Sequence, residues 1–209
     1  MRITGGTFRG RNLAAPKDMR VRPTSDRARQ AIFNILQHSD FGIGFALENI
    51  AVADLFAGTG ALGIEALSRG ARFCLFVDDD ADSRALQREN VETLGLTGVT
   101  KIWRRDATDL GPLGGGGLPR EVGTGSRQAI RPNKEGAGGP FGLVFLDPPY
   151  HKNLIPPALK SLKDGGWLSK NALLVAETSA NEIIEAQGFN ILDEREYGET
   201  RVRILSTSE

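Results

Sequence analysis

Two short stretches of the chain carry residue types whose spacing could do chemistry. The first, DLFAGTGALG, places Gly58, Gly60 and Gly63 in the G-x-G-x-x-G spacing typical of a turn that binds a dinucleotide or a related cofactor. The second, DPPY, runs from Asp147 to Tyr150 directly after the apolar run FGLVFL. Because both stretches follow apolar runs that predict buried parallel strands, we expect them at the same edge of one sheet.

The glycine turn would approach a cofactor through its backbone. Glycine permits backbone angles and a close approach that a Cβ would block, and the following helix start supplies N–H donors. Asp78 ends the next apolar run, about 20 positions after the turn, where an acid suits the hydroxyls of a ribose. NAD and S-adenosylmethionine both carry such a ribose, so the pattern leaves both open, together with a turn that holds no ligand.

Two further aspartates bear on the choice of cofactor. Asp54 lies in the strand just before the turn, where a carboxylate disfavours a pyrophosphate but suits an ammonium and a sulfonium. Its alternative role is to cap the helix or brace the loop. Asp106 ends the third strand and could accept a hydrogen bond from an adenine amino group, with Ala107 supplying backbone contact. A solvated loop carboxylate is the alternative for Asp106.

The DPPY stretch favours S-adenosylmethionine. Pro148 and Pro149 fix φ and stiffen the loop. An amino group on an aromatic ring is a poor nucleophile, because its lone pair is delocalised. Asp147 and the Pro148 carbonyl would each accept one of its N–H bonds, direct the lone pair at a methyl donor and stabilise the developing positive charge. Tyr150 would offer a flat face to a flipped base. A hydride-transfer enzyme that uses NAD would have no need for these four residues. The remaining alternative for the DPPY stretch is a packed proline turn without a catalytic role.

The surrounding elements alternate between strand and helix. Five runs predict strands: VADLF, RFCLFVD, the start of KIWRRDATDL, FGLVFLD and ALLVAET. Four predict helices: ALGIEALSRG, DSRALQRENVETLG, LIPPALKSL and ANEIIEAQG. This alternation indicates a doubly wound, mainly parallel sheet, to which a closing hairpin around Tyr197-Gly198 adds an antiparallel strand. Residues 1–22 predict a hairpin or extended arm, and RPTSDRARQAIFNIL predicts a helix capped by Thr24 or Ser25.

Charge and composition narrow the function classes. The net charge is zero, but residues 1–36 hold eight arginines or lysines against two aspartates, so they carry +6 and the remainder −6. Localised positive charge suits a polyanionic partner, although a solvated arginine-rich surface is the alternative. The single cysteine, Cys74, excludes an intrachain disulfide, favours a cytoplasmic location and is expected in the core. No apolar run reaches membrane-helix length, and two histidines with one cysteine argue against structural zinc.

Residues 111–140 interrupt the alternation. Ten of these 30 residues are glycine, which predicts a flexible insertion between the third and fourth strands. Its basic residues could contact RNA, although a tolerated insertion without function is favoured. They are Arg120, Arg127, Arg131 and Lys134.

The chain resembles the RsmD family of bacterial 16S ribosomal RNA guanine-N2 methyltransferases, which are class I enzymes using S-adenosylmethionine. Six stretches carry the resemblance: RITGGTFRGRNL, RPTSDRARQAIFNIL, DLFAGTGALGIEALSRGA, FVDDD, DPPY and YGETRVRIL. The glycine turn and DPPY also occur in other amino-methyltransferases, including DNA adenine enzymes, whereas the two N-terminal stretches are more specific to this family.

The resemblance implies an α/β fold of the class I S-adenosylmethionine-dependent methyltransferase type. This Rossmann-like fold would have a mainly parallel seven-stranded sheet and a small N-terminal β-hairpin and helix extension. Residues 1–40 would form a basic extension for RNA contact, and residues 41–209 the methyltransferase domain. The implied reaction methylates the exocyclic N2 of a guanine in 16S rRNA, within small-subunit particles. A monomer that needs neither membrane nor metal is expected.

The resemblance also implies roles for individual residues. The cofactor site would comprise Asp54, Phe56, Gly58, Thr59, Gly60, Asp78, Asp79, Asp106 and Ala107. The catalytic loop would comprise Asp147, Pro148, Pro149 and Tyr150, and RNA would meet Arg9, Arg11, Arg22, Arg27 and Arg29. Asp78 stands where many relatives have glutamate, so it must sit closer to the ribose or act through water. A DNA adenine-N6 methyltransferase and a non-catalytic RNA-binding module are the rival interpretations.

Overall fold

The computed structural model describes residues 1–16, 25–114 and 140–208. Within these residues the chain forms four α-helices and seven strands, with one 3-10 turn at Thr97–Val99. In chain order the elements are α1 (Asp26–His38), β1 (Ala51–Leu55), α2 (Ala61–Ser68), β2 (Phe73–Val77), α3 (Ala81–Thr93), β3 (Thr100–Trp103), β4 (Phe141–Leu146), α4 (Ile155–Asp164), β5 (Leu168–Ser179), β6 (Phe189–Tyr197) and β7 (Thr200–Thr207).

The seven strands form one sheet in the order β3-β2-β1-β4-β5-β7-β6. Strands β1 to β5 pair in parallel, and the closing hairpin contributes two antiparallel pairings, β5 with β7 and β7 with β6. The predicted α/β architecture is confirmed, and the parallel character holds for these first five strands. The strand order reverses between β1 and β4, and in open α/β sheets ligands bind at the carboxyl ends of the strands at such a point.

The central strands are apolar on both faces. Val52 and Leu143 contribute to the hydrophobic cluster on one face of the sheet, while Ala53 and Val144 contribute to the cluster on the other. Every residue of β1 is buried, and β4 is buried except at Gly142. A sheet covered on both faces leaves its strand ends as the place for a cleft, as the uninterrupted apolar runs predict.

The N-terminal arm, residues 1–14, is a loop closed by a single β-bridge between Arg2 and Asn12. It crosses α2, where the N–H of Thr7 donates to the carbonyl of Ser68 at 2.7 Å. Ile3 and Leu13 of the arm belong to the same core cluster as residues of α1 and β1. The predicted hairpin is therefore a minimal one, held against the helix that begins at the glycine turn.

The helix predicted for ANEIIEAQG is wrong, because residues 180–188 form turns and irregular backbone. Tertiary hydrogen bonds replace the helical ones here. The N–H of Ala180 donates to the carbonyl of Glu199 at 2.8 Å, and Arg203 donates to the carbonyl of Glu182 at 3.1 Å. Ile184 is buried while its neighbour Ile183 is 86% exposed. The segment thus serves as a strap between β5 and β6.

Most of the glycine-rich segment lies outside the described residues, including the four basic residues for which RNA contact was the less favoured interpretation. The first residues of this segment, Gly111 and Leu113, are held by hydrogen bonds to residues just before the start of β5 and just after the end of α4. The indole of Trp167 donates to the carbonyl of Gly111 at 2.7 Å, and the N–H of Leu113 donates to the carbonyl of Gly165 at 2.8 Å. The chain is therefore bonded to the turn between α4 and β5 as far as Leu113. Among the described residues, no helix has the length and apolar content to cross a membrane.

Candidate active site

The strand register brings the two sequence motifs together. Leu55, the last residue of β1, pairs with the last residues of β4 and β2. The next residue on each strand is Phe56, Asp147 or Asp78, so these three begin adjacent loops at the carboxyl edge of the sheet. Neighbouring strands lie about 4.8 Å apart, which sets Asp147 and Asp78 roughly 10 Å apart across β1. The predicted proximity of the glycine turn and the DPPY stretch is confirmed.

The glycine turn has a left-handed backbone at three positions. Phe56, Gly58 and Gly60 have φ values of 57°, 53° and 78°. Positive φ at a bulky residue such as Phe56 is rare and strained, and such strain concentrates at ligand sites. A Cβ on Gly58 would meet only the carbonyl oxygen of Phe56, at 4.0 Å, so this backbone borders open space. A Cβ on Gly60 would lie 3.1 Å from the Phe76 ring, so packing also requires this glycine.

Gly63, the third glycine of the motif, allows α2 to lie directly on β2. A Cβ there would sit 2.5 Å from both the sulfur of Cys74 and the ring of Phe76, a distance that real Cβ atoms do not tolerate. Close helix–sheet packing accounts for this glycine without any ligand. Cys74 is buried in the core, as predicted, and burial raises the pKa of its thiol.

Asp54 has a structural contact at the start of α2. Its side chain is 1% exposed, and its Oδ2 accepts a hydrogen bond of 2.9 Å from the N–H of Gly63 at the start of α2. Burial raises the pKa of Asp54 to about 8, against the lowering effect of the Gly63 N–H and with a further rise from the charge of Asp78. Asp54 therefore braces the turn from within, which is the alternative role given for it in the sequence analysis.

Asp78 joins the glycine turn to the loop after β2. Its two oxygens accept hydrogen bonds from the N–H of Gly58 at 2.8 Å and from the N–H of Asp80 at 2.9 Å. Burial raises the pKa of Asp78, although these two hydrogen bonds oppose the rise. Each carboxylate oxygen has a second lone pair that could accept from a ribose hydroxyl. Asp79 is exposed beside it.

Two polar residues of α3 hold the carbonyls of the glycine turn, and the sequence analysis missed both. The amide of Gln87 donates to the carbonyl of Gly58 at 3.0 Å, and that of Asn90 donates to the carbonyl of Thr59 at 3.0 Å. Asn90 also exchanges two hydrogen bonds with Ala14 of the arm, at 2.7 and 3.2 Å. The sequence did offer a signal for this contact, because Gln87 and Asn90 are polar residues three positions apart on the inward face of a predicted helix.

The residues expected near adenine follow β3. Asp106 is exposed, and its Oδ1 accepts hydrogen bonds from the hydroxyl and the N–H of Thr108 at 2.7 and 2.8 Å. These two bonds hold the pKa of Asp106 below its usual range. Ala107 beside it is buried. An ionised loop carboxylate at the carboxyl edge is compatible with either interpretation given for Asp106.

The DPPY loop lies against β1 at Asp147, and hydrogen bonds of the Tyr150 hydroxyl hold its other end. The N–H of Asp147 is 3.5 Å from the carbonyl of Leu55. Asp147 and Tyr150 are half-buried, Pro148 is buried and Pro149 is exposed. The Tyr150 hydroxyl bonds Glu177 at 3.0 Å and Thr200 at 2.8 Å. Glu177 and Thr200 were not identified from the sequence. An acid within the apolar run ALLVAET was the only signal.

The arginines predicted to meet RNA divide into two groups. Arg9, Arg11 and Arg27 are exposed, and Arg22 lies outside the described residues. Arg29 is wrong as an RNA contact, because it is fully buried. Its guanidinium bonds the side chains of Glu65 and Asp26 and the carbonyl of Arg2. The spacing Arg29, Ile32, Phe33 and Leu36, which places Arg29 on the buried face of α1, could have revealed this.

The fold and this site define a class I methyltransferase, with a glycine-rich turn after β1 and a DPPY loop after β4 of a seven-stranded sheet. The solved structure of yhhF from Escherichia coli has a TM-score of 0.73 and 27% identity, covering 99% of this chain and 97% of that one. The fold and the family imply a methyl donor of the S-adenosylmethionine type.

The chain belongs to the family described as conserved hypothetical protein 95, whose model matches residues 1–115 and 120–206. YlbH of Bacillus subtilis is 33% identical over 207 residues, which cover 98% of this chain and 97% of that protein. Ribosomal RNA small subunit methyltransferase D of Escherichia coli is 31% identical over 178 residues, covering 85% of this chain and 74% of that protein. The resemblance to the RsmD family is confirmed.

Proposed function

We propose that the protein transfers a methyl group from S-adenosylmethionine to the exocyclic N2 of a guanine in 16S rRNA. The strand register carries this proposal, because it sets Asp147 beside the glycine turn at the point where the strand order reverses. The substrate follows from the relatives, several of which are named ribosomal RNA small subunit methyltransferase D. A bacterial ribosomal substrate agrees with the cytoplasmic location that the single cysteine favours.

The residues at the carboxyl edge fit such a donor. Gly58 exposes backbone to open space, where a side chain would occupy the approach to the turn. Asp78 would accept from the ribose hydroxyls, with Asp79 beside it and with Asp106 and Ala107 on the adenine side. When bound, the donor supplies an electrophilic methyl group on a sulfonium. The Asp54 carboxyl supports this arrangement only indirectly, through Gly63.

The DPPY loop would prepare the attacking nitrogen. The Asp147 carboxylate and the Pro148 carbonyl accept its two N–H bonds, which favours a pyramidal nitrogen and directs its lone pair towards the methyl group. The same two acceptors stabilise the positive charge that develops on nitrogen during direct displacement. The two prolines limit loop motion, so the acceptors are held in place before the base arrives. The ring of Tyr150 stacks on the flipped base.

The exposed arginines of the N-terminal region would bind the RNA backbone. Arg9 and Arg11 lie on the arm and Arg27 lies on the first turn of α1, and all three are exposed. Arginine suits phosphate because its planar fork donates two hydrogen bonds at once. We place these contacts on rRNA within small-subunit particles, with the enzyme acting as a monomer.

A transfer assay with labelled S-adenosylmethionine tests the proposal. Small-subunit particles lacking the modification, naked 16S rRNA and unmethylated DNA are compared as substrates. We expect label on N2-methylguanosine in the particles and none in DNA. Asp147→Ala should abolish most transfer while binding the donor normally by calorimetry, and Asp164→Ala, an exposed aspartate at the end of α4, is the matched control. Label on DNA adenine would favour the rival enzyme, and no donor binding would favour an RNA-binding module.

A further inference from the structure

The hydroxyl of Tyr150 is held by two side chains from the far half of the sheet. It donates to Oε1 of Glu177 at 3.0 Å and lies 2.8 Å from the hydroxyl of Thr200. A phenol that donates its proton to a carboxylate can still accept one from a second hydroxyl, so both contacts form at once. The ring also meets His151 edge-on, with the ring centres 6.4 Å apart.

The antiparallel pairing of β5 and β7 brings Glu177 and Thr200 close together. Glu177 pairs with Val202, and Ser179 pairs with Thr200. Residues two apart on a strand share a face, so Glu177 and Thr200 are diagonal neighbours on one face of the sheet. Thr200 belongs to the closing stretch YGETRVRIL, whose role the proposed function leaves unassigned.

Glu177 is an unusual residue for its position. It is 4% exposed and directly follows the buried apolar run 172–176, and burying a carboxylate is unfavourable unless hydrogen bonds compensate. An apolar residue would be the more stable choice for the core alone. Its contact with the hydroxyl of Tyr150 supplies a functional reason for an acid at this position.

The loop after Tyr150 needs such an anchor. His151 and Asn153 both have positive φ, at 63° and 50°, a backbone region that is uncommon outside glycine even though His and Asn enter it more readily than most residues. The N–H of His151 donates to the carboxylate of Glu182 at 3.3 Å, so the strap between β5 and β6 adds a second tether. Without tethers, this strained loop would have other conformations of similar energy.

We propose that Glu177 and Thr200 are positioning residues that fix the ring of Tyr150 in the orientation that stacks on the target base. This inference rests on the proposed function, because it assigns Tyr150 to the base. A hydroxyl fixed at two points restrains both ring torsions, so the stacking face exists before RNA binds. The closing hairpin thereby contributes to the active site without touching substrate.

Kinetics of threonine variants test the proposal. Thr200→Val should lower kcat about tenfold, the effect of one hydrogen bond, with the protein still folded at the assay temperature and the Kd for S-adenosylmethionine unchanged. Thr200→Ser keeps the hydroxyl and should restore activity. Thr207→Val makes the same change at the other end of β7 and should match the wild type. Wild-type kcat in Thr200→Val would overturn the proposal.

A double mutant separates positioning from general disturbance. Tyr150→Phe keeps the ring and removes the hydroxyl, so it should lower kcat by a similar factor. If both changes act through one hydroxyl, the Tyr150→Phe, Thr200→Val double variant should be no slower than the slower single variant. A double variant whose loss in kcat equals the product of the two single losses would contradict the proposal.

A tyrosine titration tests the contact without any activity. The chain has two tyrosines, so a Tyr197→Phe background leaves Tyr150 as the only phenol to follow by absorbance. Burial and then the charge of Glu177 raise the pKa of Tyr150 above its ordinary value of 10. Glu177→Gln should move the midpoint down towards 10, with circular dichroism reporting that the protein stays folded. An unmoved midpoint would contradict the contact, whereas a wild-type protein that methylates nothing would contradict the proposed function alone.

Discussion

The Asp78 carboxylate accepts a hydrogen bond of 2.8 Å from the N–H of Gly58, linking the loop after β2 to the turn after β1. Gly58 is the motif glycine whose missing Cβ borders open space, and Asp78 is the acid expected to hold a ribose. One contact therefore sets the distance between the two halves of the proposed cofactor site. Its rigidity is supported from behind by Asp54 and Gln87, which hold the N–H of Gly63 and the carbonyl of Gly58.

Gly63→Ala should destabilise the protein by about 1–3 kcal/mol, because an added Cβ overpacks the contact between α2 and β2. The added atom would lie 2.5 Å from the sulfur of Cys74. Gly98→Ala is the matched control, since a Cβ at Gly98 meets nothing within 4 Å. Urea denaturation of the three proteins measures the effect. Equal stability of Gly63→Ala and Gly98→Ala would show that the close packing is absent.

Asp54 should make the protein less stable as pH rises. Its pKa is about 8 in the folded state against an ordinary value of 3.8, so between these pH values the folded state holds a proton that the unfolded state has lost. The free energy of unfolding therefore falls from about pH 4 to about pH 8, by at most about 1.4 kcal/mol per pH unit, and the loss is complete above pH 8.

Asp54→Asn removes this titration, because the amide oxygen can accept from Gly63 without a proton equilibrium. Denaturation curves at pH 5, 6, 7 and 8 should therefore show a shallower decline in the variant than in the wild type. Asp164→Asn changes an exposed aspartate and should leave the slope unchanged. Parallel slopes for Asp54→Asn and the wild type would contradict the buried, protonated carboxyl.

Asn90→Ala should weaken the binding of S-adenosylmethionine several-fold, although the Asn90 side chain bonds the glycine turn and not the ligand. The change removes the donor to the Thr59 carbonyl and frees the arm at Ala14, so the turn loses a hydrogen bond on the side away from the ligand. Glu89→Ala, an exposed change on the same helix, is the control. Calorimetry gives the Kd of each protein. The same Kd for all three would show that the turn does not depend on α3.

Arginines of the N-terminal region should separate into RNA contacts and structural residues. Arg9→Ala and Arg11→Ala should each reduce the salt dependence of RNA binding by about one unit in the slope of log K against log salt, with unchanged melting temperatures. Arg29→Ala should instead cost about 3 kcal/mol of stability, because it leaves the buried Glu65 carboxylate with one cation fewer. Salt titrations and melting curves distinguish the two classes. Loss of RNA affinity in a fully stable Arg29→Ala would contradict the assignment.

The sequence predicts positions along the sheet better than the directions of side chains. Asp78 and Asp147 each follow a run of apolar residues, and strand ends at one edge must meet, so their proximity needs no coordinates. Asp54 differs, because whether a carboxylate faces the cleft or the start of α2 depends on how the turn folds back. Arg29 was misassigned because its charge outweighed its place on the apolar face of α1.

Contacts between distant parts of the chain lay beyond prediction. Glu177 and Thr200 meet Tyr150 only because β7 inserts between β5 and β6, and the sequence does not specify that order. Other tertiary bonds override the helical preference of ANEIIEAQG. The N–H of Ala180 and the carbonyl of Glu182 bond the closing hairpin, and the carboxylate of Glu182 accepts from the N–H of His151. Local patterns thus predicted where the two motifs lie on the sheet, while the contacts that hold Tyr150 required the structure.

Mass spectrometry of 16S rRNA from cells with and without the gene shows whether this protein methylates a guanine of the small subunit. We expect that one N2-methylguanosine is missing from the deletion strain, is restored by the wild-type gene or by Asp164→Ala, and stays missing with Asp147→Ala expressed at the same level. An identical set of modified nucleotides in the deletion strain, or full restoration by Asp147→Ala, would contradict it.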